Sequence, residues 1–142
     1  MSDIAFTAAN IRALTSHGAV ILPGQAGGTI TVGHLVYQAS DGDWERADGN
    51  VSAAVARAQG IAVASFDGET TINSTDPVSV CVFGPVSGFT SLTAGANYYL
   101  SDTVGRIGDA VGAYDRIIGY GVEIGGEVCL FVSIEQNDPS SA

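Results

Sequence analysis

The feature that most restricts this chain is its punctuation. From residue 29 onward, short runs of β-branched and aromatic residues alternate with clusters of Gly, Asp, Asn and Pro. Runs of this kind are too short for helices and too apolar for loops, so they read as strands. The expected strands are 29–32, 35–39, 44–47, 60–65, 70–72, 78–83, 97–100, 117–122 and 127–134. Asp41-Gly42-Asp43 and Gly125-Gly126 carry hairpin-turn chemistry, because Gly and Asp tolerate positive φ. The one long segment with helical propensity is 51–59, through Ser52-Ala53-Ala54-Val55-Ala56-Arg57-Ala58, although a loop with one turn of helix serves as well.

Ordering the strands reveals an internal duplication. The first copy runs Val36-Tyr37-Gln38-Ala39-Ser40-Asp41, Arg46, Gly60-Ile61-Ala62-Val63 and Cys81-Val82-Phe83. The second runs Asn97-Tyr98-Tyr99-Leu100-Ser101-Asp102, Arg106, Gly119-Tyr120-Gly121-Val122 and Cys129-Leu130-Phe131. The copies are 61 residues apart at Ser40 and Ser101, 60 at Arg46 and Arg106, 59 at Gly60 and Gly119, and 48 at Cys81 and Cys129. Small loop deletions between matched strands produce that drift. Neither unit, about 29–88 and 89–134, is large enough to bury an apolar face alone. The expectation is an all-β fold, an antiparallel β-barrel or sandwich in which the two related units pack face to face.

Residues 1–28 read differently. Ala5, Ala8, Ala9, Ile11, Ala13 and Leu14 suit a short helical turn, which Thr15-Ser16-His17-Gly18 breaks. Ala19-Val20-Ile21-Leu22 then looks like a strand ended by Pro23-Gly24. This segment is expected to be an extended N-terminal arm, joined by the glycine-rich hinge 23–29 to a body spanning 29–142.

Apolar residues form 46% of the chain and charged residues only 14%, enough to build a core and to exclude a disordered protein. The only cations besides histidine are Arg12, Arg46, Arg57, Arg106 and Arg116, against fifteen carboxylates, for a net charge of −10. Such a chain repels phosphate, so neither nucleic acid nor an anionic membrane is an expected partner. Cys81 and Cys129 each lie inside an apolar run and read as buried thiols, fitting a reducing cytoplasm or release from one by lysis. The first thirty residues lack a signal-peptide pattern, and no later stretch is apolar for long enough to span a bilayer as a helix.

Motifs that carry chemistry are weak. Asp41-Gly42-Asp43, with Glu45 and Asp48, misses the EF-hand ligand spacing and sits between strands. His17 and His34 lie far from other metal-ligating residues at useful spacing, so no metal site is expected. Ser101 could join a histidine in a hydrolytic arrangement, but no nucleophile-elbow motif is present and no catalytic residues or cofactor are expected. The glycines of 23–29 lack the Gly-Lys-Ser/Thr ending of a phosphate loop. Phe83-Gly84-Pro85-Val86-Ser87-Gly88-Phe89 reads as a turn between the units. Tyr98, Tyr99, Tyr114 and Tyr120 could face a sugar, yet strand alternation sends Tyr98 and Tyr99 to opposite faces.

The segment Leu92-Thr93-Ala94-Gly95-Ala96-Asn97-Tyr98-Tyr99-Leu100-Ser101-Asp102, then Gly105-Arg106-Ile107, then Arg116-Ile117-Ile118-Gly119-Tyr120-Gly121-Val122, resembles a pattern in virion proteins of tailed bacteriophages. Gly33-His34-Leu35-Val36-Tyr37 through Ala58-Gln59-Gly60-Ile61-Ala62-Val63 is similar to the same unit in capsid decoration, or cement, proteins. The likeness covers about residues 30–134 and lies in strand and turn types. It implies a β-rich body, commonly a homotrimer, assembled in the host cytoplasm and bound outside the capsid, where it ties major capsid proteins together. It also implies an arm that reaches a neighbouring subunit through Ile4, Phe6, Ile11, Leu14, Val20, Ile21 and Leu22. Phage tail-fibre and receptor-binding proteins share the unit, so a glycan-binding module is the alternative.

Overall fold

A computed structural model describes residues 2–135 and 139–141. The remaining positions of the expected arm and body, 1, 136–138 and 142, lie outside the described residues. Strands make up 47% of the structure and helix 4%. In chain order the strands are β1 (Arg12–Ala13), β2 (Val20–Gln25), β3 (Ile30–Thr31), β4 (Leu35–Gln38), β5 (Trp44–Arg46), β6 (Gly60–Ser65), β7 (Thr71–Ile72), β8 (Pro77–Ser87), β9 (Asn97–Leu100), β10 (Ile107–Gly108), β11 (Tyr114–Asp115), β12 (Ile117–Ile124), β13 (Glu127–Val132) and β14 (Ser140–Ser141).

Ten of these form one antiparallel sheet curled into a half-barrel, with the order β10-β9-β12-β13-β8-β6-β4-β5 and with β1 and β2 both on β8. The expected duplication is visible in this order. Read inward from each end, β5-β4-β6-β8 and β10-β9-β12-β13 are the same succession of antiparallel pairings. The units join edge to edge, where β13 pairs with β8 through Leu130↔Val86, Phe131↔Pro85 and Val132↔Gly84. Face-to-face packing was the expectation. Instead, β8 is long enough to serve one unit with its first half and the other with its second. The anticipated inter-unit turn at 83–89 is therefore mostly strand. Only Gly84, at φ 104°, and Gly88, at φ 107°, carry turn-like backbone there.

Glycines at matched places let the strands close up. A Cβ on Gly60 would stand 2.6 Å from the Cys81 carbonyl oxygen, and one on Gly119 would strike that of Phe131. At the β12–β13 turn, Gly125 and Gly126 both have positive φ, 61° and 88°, as a tight hairpin with right-handed strand twist requires.

Residues 2–28 run along the body of their own chain. Ile4 N–H donates to the Ile107 carbonyl on the outer edge of β10, and Phe6 bridges to Phe89. β1 pairs with the second half of β8. The chain then passes over Gly84, where any Cβ would stand 2.6 Å from Ala19 Cα, and β2 pairs with the first half of β8. The strand does not stop at Pro23-Gly24. It runs on to Gln25, and two residues later Gly27 N–H donates to the Trp44 carbonyl on the outer edge of β5. The hinge expected at 23–29 is thus docked, and Ala26 is fully buried. One continuous segment covers both outer edges of the sheet.

The core holds Ile11, Ile30, Leu35, Ile61, Leu100, Ile107, Ile118 and Leu130, all essentially buried. Each contributes roughly 1.5–3 kcal/mol by removal from water. Residues 51–59 form turns with a single helical bond, from Ala56 N–H to the Ser52 carbonyl. Local alanine propensity loses there to tertiary contacts: Ala56 and Ala58 are fully buried, and the buried Arg116 guanidinium donates twice to the Ala58 carbonyl.

Candidate subunit interface

Strand alternation divides the joined sheet into two faces. On β13, Leu130 and Val132 point into the core, which sends Phe131 outward. Phe131 lies opposite Tyr120 of β12, and their rings stack with centroids 5.3 Å apart. Phe83 of β8 meets Phe131 edge to face at 5.2 Å. Val20 of β2 is the partner of Phe83, and a bulge after it turns Ile21 to the same face, opposite Cys81. A ladder Val20–Phe83–Phe131–Tyr120 therefore crosses four strands.

Its exposure is unusual for such side chains. Phe83 is 47% exposed, Val20 45%, Tyr120 40% and Ile21 37%. The outer face continues past Tyr120 to Tyr99 and to Ile117, which are cross-strand partners. Single exposed hydrophobes need no explanation, but a contiguous aromatic and aliphatic patch marks a contact surface. From Ala13 to Ser40, a stretch that contains all of β2, there is no Asp, Glu, Lys or Arg.

The seven residues expected to contact a neighbour are spread over three environments. Ile4 and Ile11 lie in their own chain's core. Phe6 and Leu14 are half-buried. Phe6 packs edge-on against Phe89 and His34, with the Arg106 guanidinium 5.2 Å above its ring. Only Val20, Ile21 and Leu22 are exposed, and the first two join the aromatic ladder. Phe83, Tyr120 and Phe131 were not anticipated. Burial on both parities of Cys129-Leu130-Phe131-Val132, with Cys129 as covered as Leu130, hid the outward face from the sequence.

The outer edge of β2 makes no backbone hydrogen bond to any other strand among the described residues. Because Ala26 N–H donates to the Asp76 carbonyl, alternation directs the backbone groups of Ile21, Pro23 and Gln25 away from β8. Pro23, with no N–H, interrupts that edge. A proline so placed blocks the addition of a further strand.

The polar candidates separate. Ser101 Oγ donates to the Asp3 carboxylate, whereas His34 Nδ1 accepts from Thr31 N–H at 3.3 Å. His17 is exposed on a short 3-10 turn. Among the described residues, no group of three or more His, Cys, Asp and Glu is placed to hold a metal ion, and no helix is long and apolar enough to cross a membrane. A cleft of about 310 Å³ is lined by Tyr37, Glu45, Arg46, Asp48, Val51 and Val55, with Gly28, Thr29 and Val104 completing its wall. Tyr98 is buried and its hydroxyl accepts from Thr93 N–H, while Tyr99 lies half-buried on the opposite face.

Burial, then the nearby Arg46 and Arg106 charges, push the His34 pKa down to about 4. The neutral imidazole is favoured in the folded state. Its contribution to stability is full above the unfolded value of about 6.5 and declines as pH falls from there through about 4. His34→Asn keeps an acceptor near Nδ1 without the titration. Urea unfolding of the two proteins should therefore converge in pH dependence above pH 7 and diverge below 6, with the wild type losing more. Parallel curves would show that His34 does not report this burial.

Burial also raises the thiol pKa of Cys81 and Cys129. With exposures of 0% and 1%, neither should react with maleimide in the folded protein at pH 7, and both should react in denaturant. Mass spectrometry of the native protein checks this, and rapid native labelling would contradict it.

No family model matches the chain, and no curated protein matches it.

Proposed function

We propose that this chain is a structural virion subunit, a decoration or cement protein that binds the outer surface of a tailed-phage capsid and stabilises the shell through contacts with the major capsid protein and with copies of itself. The observation that carries this reading is the uncharged face of Val20, Ile21, Phe83, Phe131 and Tyr120, presented by a sheet whose terminal edges are already covered. A surface of this kind serves packing against other protein chains. The strand-and-turn resemblance supplies the class of partner. The charge of −10 argues against nucleic acid and anionic membranes. A subunit that binds only the assembled shell stabilises it by mass action, with no reaction chemistry.

Purified protein mixed with empty capsids from its own phage should bind saturably, appear as added density on the outer surface, and raise the temperature at which the shells disrupt. Absence of binding to such shells would overturn the reading.

A second reading, a tail-fibre or receptor-binding module for glycans, draws on the cleft beside Tyr37. An aromatic ring, two carboxylates and a guanidinium around a valine floor offer both faces and hydrogen bonds to a sugar. Glycan-array hits that vanish in Tyr37→Ala, with no capsid binding, would favour it.

A further inference from the structure

We infer that the outer aromatic face is built to receive a basic protein surface, one that is apolar at its centre and carries Lys or Arg around its rim. The inference rests on reading that face as a protein-contact surface. It does not need the capsid assignment.

The charges around the ladder carry the argument. Along β13, alternation places Glu127 and Cys129 on the same face as Phe131. Burial first, and then the Glu127 charge, raise the Cys129 thiol pKa, so the carboxylate stands close to the ladder's margin. Glu123 is exposed near the same β12–β13 turn, and at the opposite end of β12 Asp115 is exposed two residues before Ile117. None of these three carboxylates is paired with a cation among the described residues.

The arginines lie elsewhere. Arg116 is buried and donates to the Ala58 carbonyl, and Arg106 donates to the Ile4 carbonyl with its guanidinium over Phe6. Arg12 donates to the Ala9 and Ile11 carbonyls of its own segment, Arg57 donates to the Ala54 carbonyl, and Arg46 lines the cleft beside Tyr37. What remains is an apolar strip with carboxylates at both ends and no cation among its side chains.

Charge then decides between occupants. A second copy brings the same carboxylates and the same −10, and a phosphate-bearing surface is repelled for the same reason. A surface rimmed with Lys or Arg satisfies both parts of the patch. Its apolar centre covers Phe83, Phe131 and Tyr120, while its cations reach Glu123, Glu127 and Asp115 at the solvated margin. Such rim pairs add little affinity, but they speed encounter and select the partner.

NMR titration of the full, isotope-labelled chain with three synthetic peptides of equal length tests the inference. One peptide alternates Leu and Lys, one alternates Leu and Glu, and one alternates Ser and Lys. The Leu/Lys peptide should perturb the amides of Phe83, Tyr120 and Phe131 saturably, and the other two should bind there at least about tenfold more weakly. Replacing two rim charges, Glu127→Gln with Asp115→Asn, should lower the Leu/Lys affinity about three- to tenfold and flatten its dependence on salt. The control pair Asp43→Asn with Glu69→Gln removes the same charge away from this face and should leave that affinity within about twofold of wild type. Circular dichroism verifies that both double variants remain folded. Equal affinity of the Leu/Lys and Leu/Glu peptides for the ladder, or an equal loss in the control pair, would overturn the inference and leave the contact-surface reading standing. If no peptide perturbs the ladder, both fall.

Discussion

Gly119→Val should cost at least about 3 kcal/mol and leave much of the chain unfolded at 37 °C, because overpacking against fixed backbone exceeds the usual 1–3 kcal/mol of a crowded core and whole-domain stability is only about 5–15 kcal/mol. The obstacle is specific. A Cβ at Gly119 meets the Phe131 carbonyl, and the next atoms behind it belong to Val132, all on the strand that bonds β12. No side chain can swing away to make room. β12 is held on its other side by β9, so it cannot retreat without breaking the Gly119↔Tyr98 pairing. Gly60 is the matched position in the first unit and should behave similarly, with Val80 and Cys81 as its obstacles. Urea midpoints measured beside Val51→Ala, a change at a 66% exposed site, would decide the matter. A Gly119→Val protein within about 0.5 kcal/mol of wild type, the range of ordinary surface changes, would refute the close approach.

Deleting residues 2–13 should abolish cooperative unfolding. The deletion takes Ile4 and Ile11 out of the core, strips Phe6 from its contacts with Phe89 and Arg106, and removes β1. It also opens the outer edge of β10, where Ile4 now bonds Ile107. The milder Ile11→Ala change leaves a cavity at a fully buried site and should cost about 2–5 kcal/mol. Calorimetry gives the clean readout. An arm that served only neighbouring subunits could be removed with little effect on the melting temperature of the isolated chain, so an unchanged transition would overturn the self-docked arrangement.

These two outcomes also mark where the sequence was readable. β6 and β9 have the bounds their apolar runs suggested, because alternating β-branched and aromatic residues ended by turn formers leave little freedom. The repeated Gly-x-x-Val and Cys-x-Phe segments exposed the duplication, and the matched pairing order follows from it. β1, β10, β11 and β14 are two residues each, too short for any period. Such strands exist because a distant segment supplies a partner. The contact face was half legible. Val20 and Ile21 stood out as apolar residues beside a turn, while Phe83 read as part of a turn between the units, Tyr120 as a possible sugar contact, and Phe131 carried no assignment. Only the register across β8, β13 and β12 assigns them outward. Ile4 and Ile11 erred in the other direction, because an apolar residue in a segment without strong periodicity gives no hint of which chain will bury it.

The segment that covers both edges has a consequence for how the protein is made. Asp3 pairs with Gly108, and β2 with β8, so each of these segments is synthesised well before its partner. At ordinary translation speeds, Asp3 waits roughly 5–20 s for Gly108. Until β8 is complete, the uncharged β2 lacks the strand it pairs with. Contacts so distant along the chain close slowly. The refolding rate should therefore be set by the docking of residues 3–27, which lock last although they precede their partners in the chain.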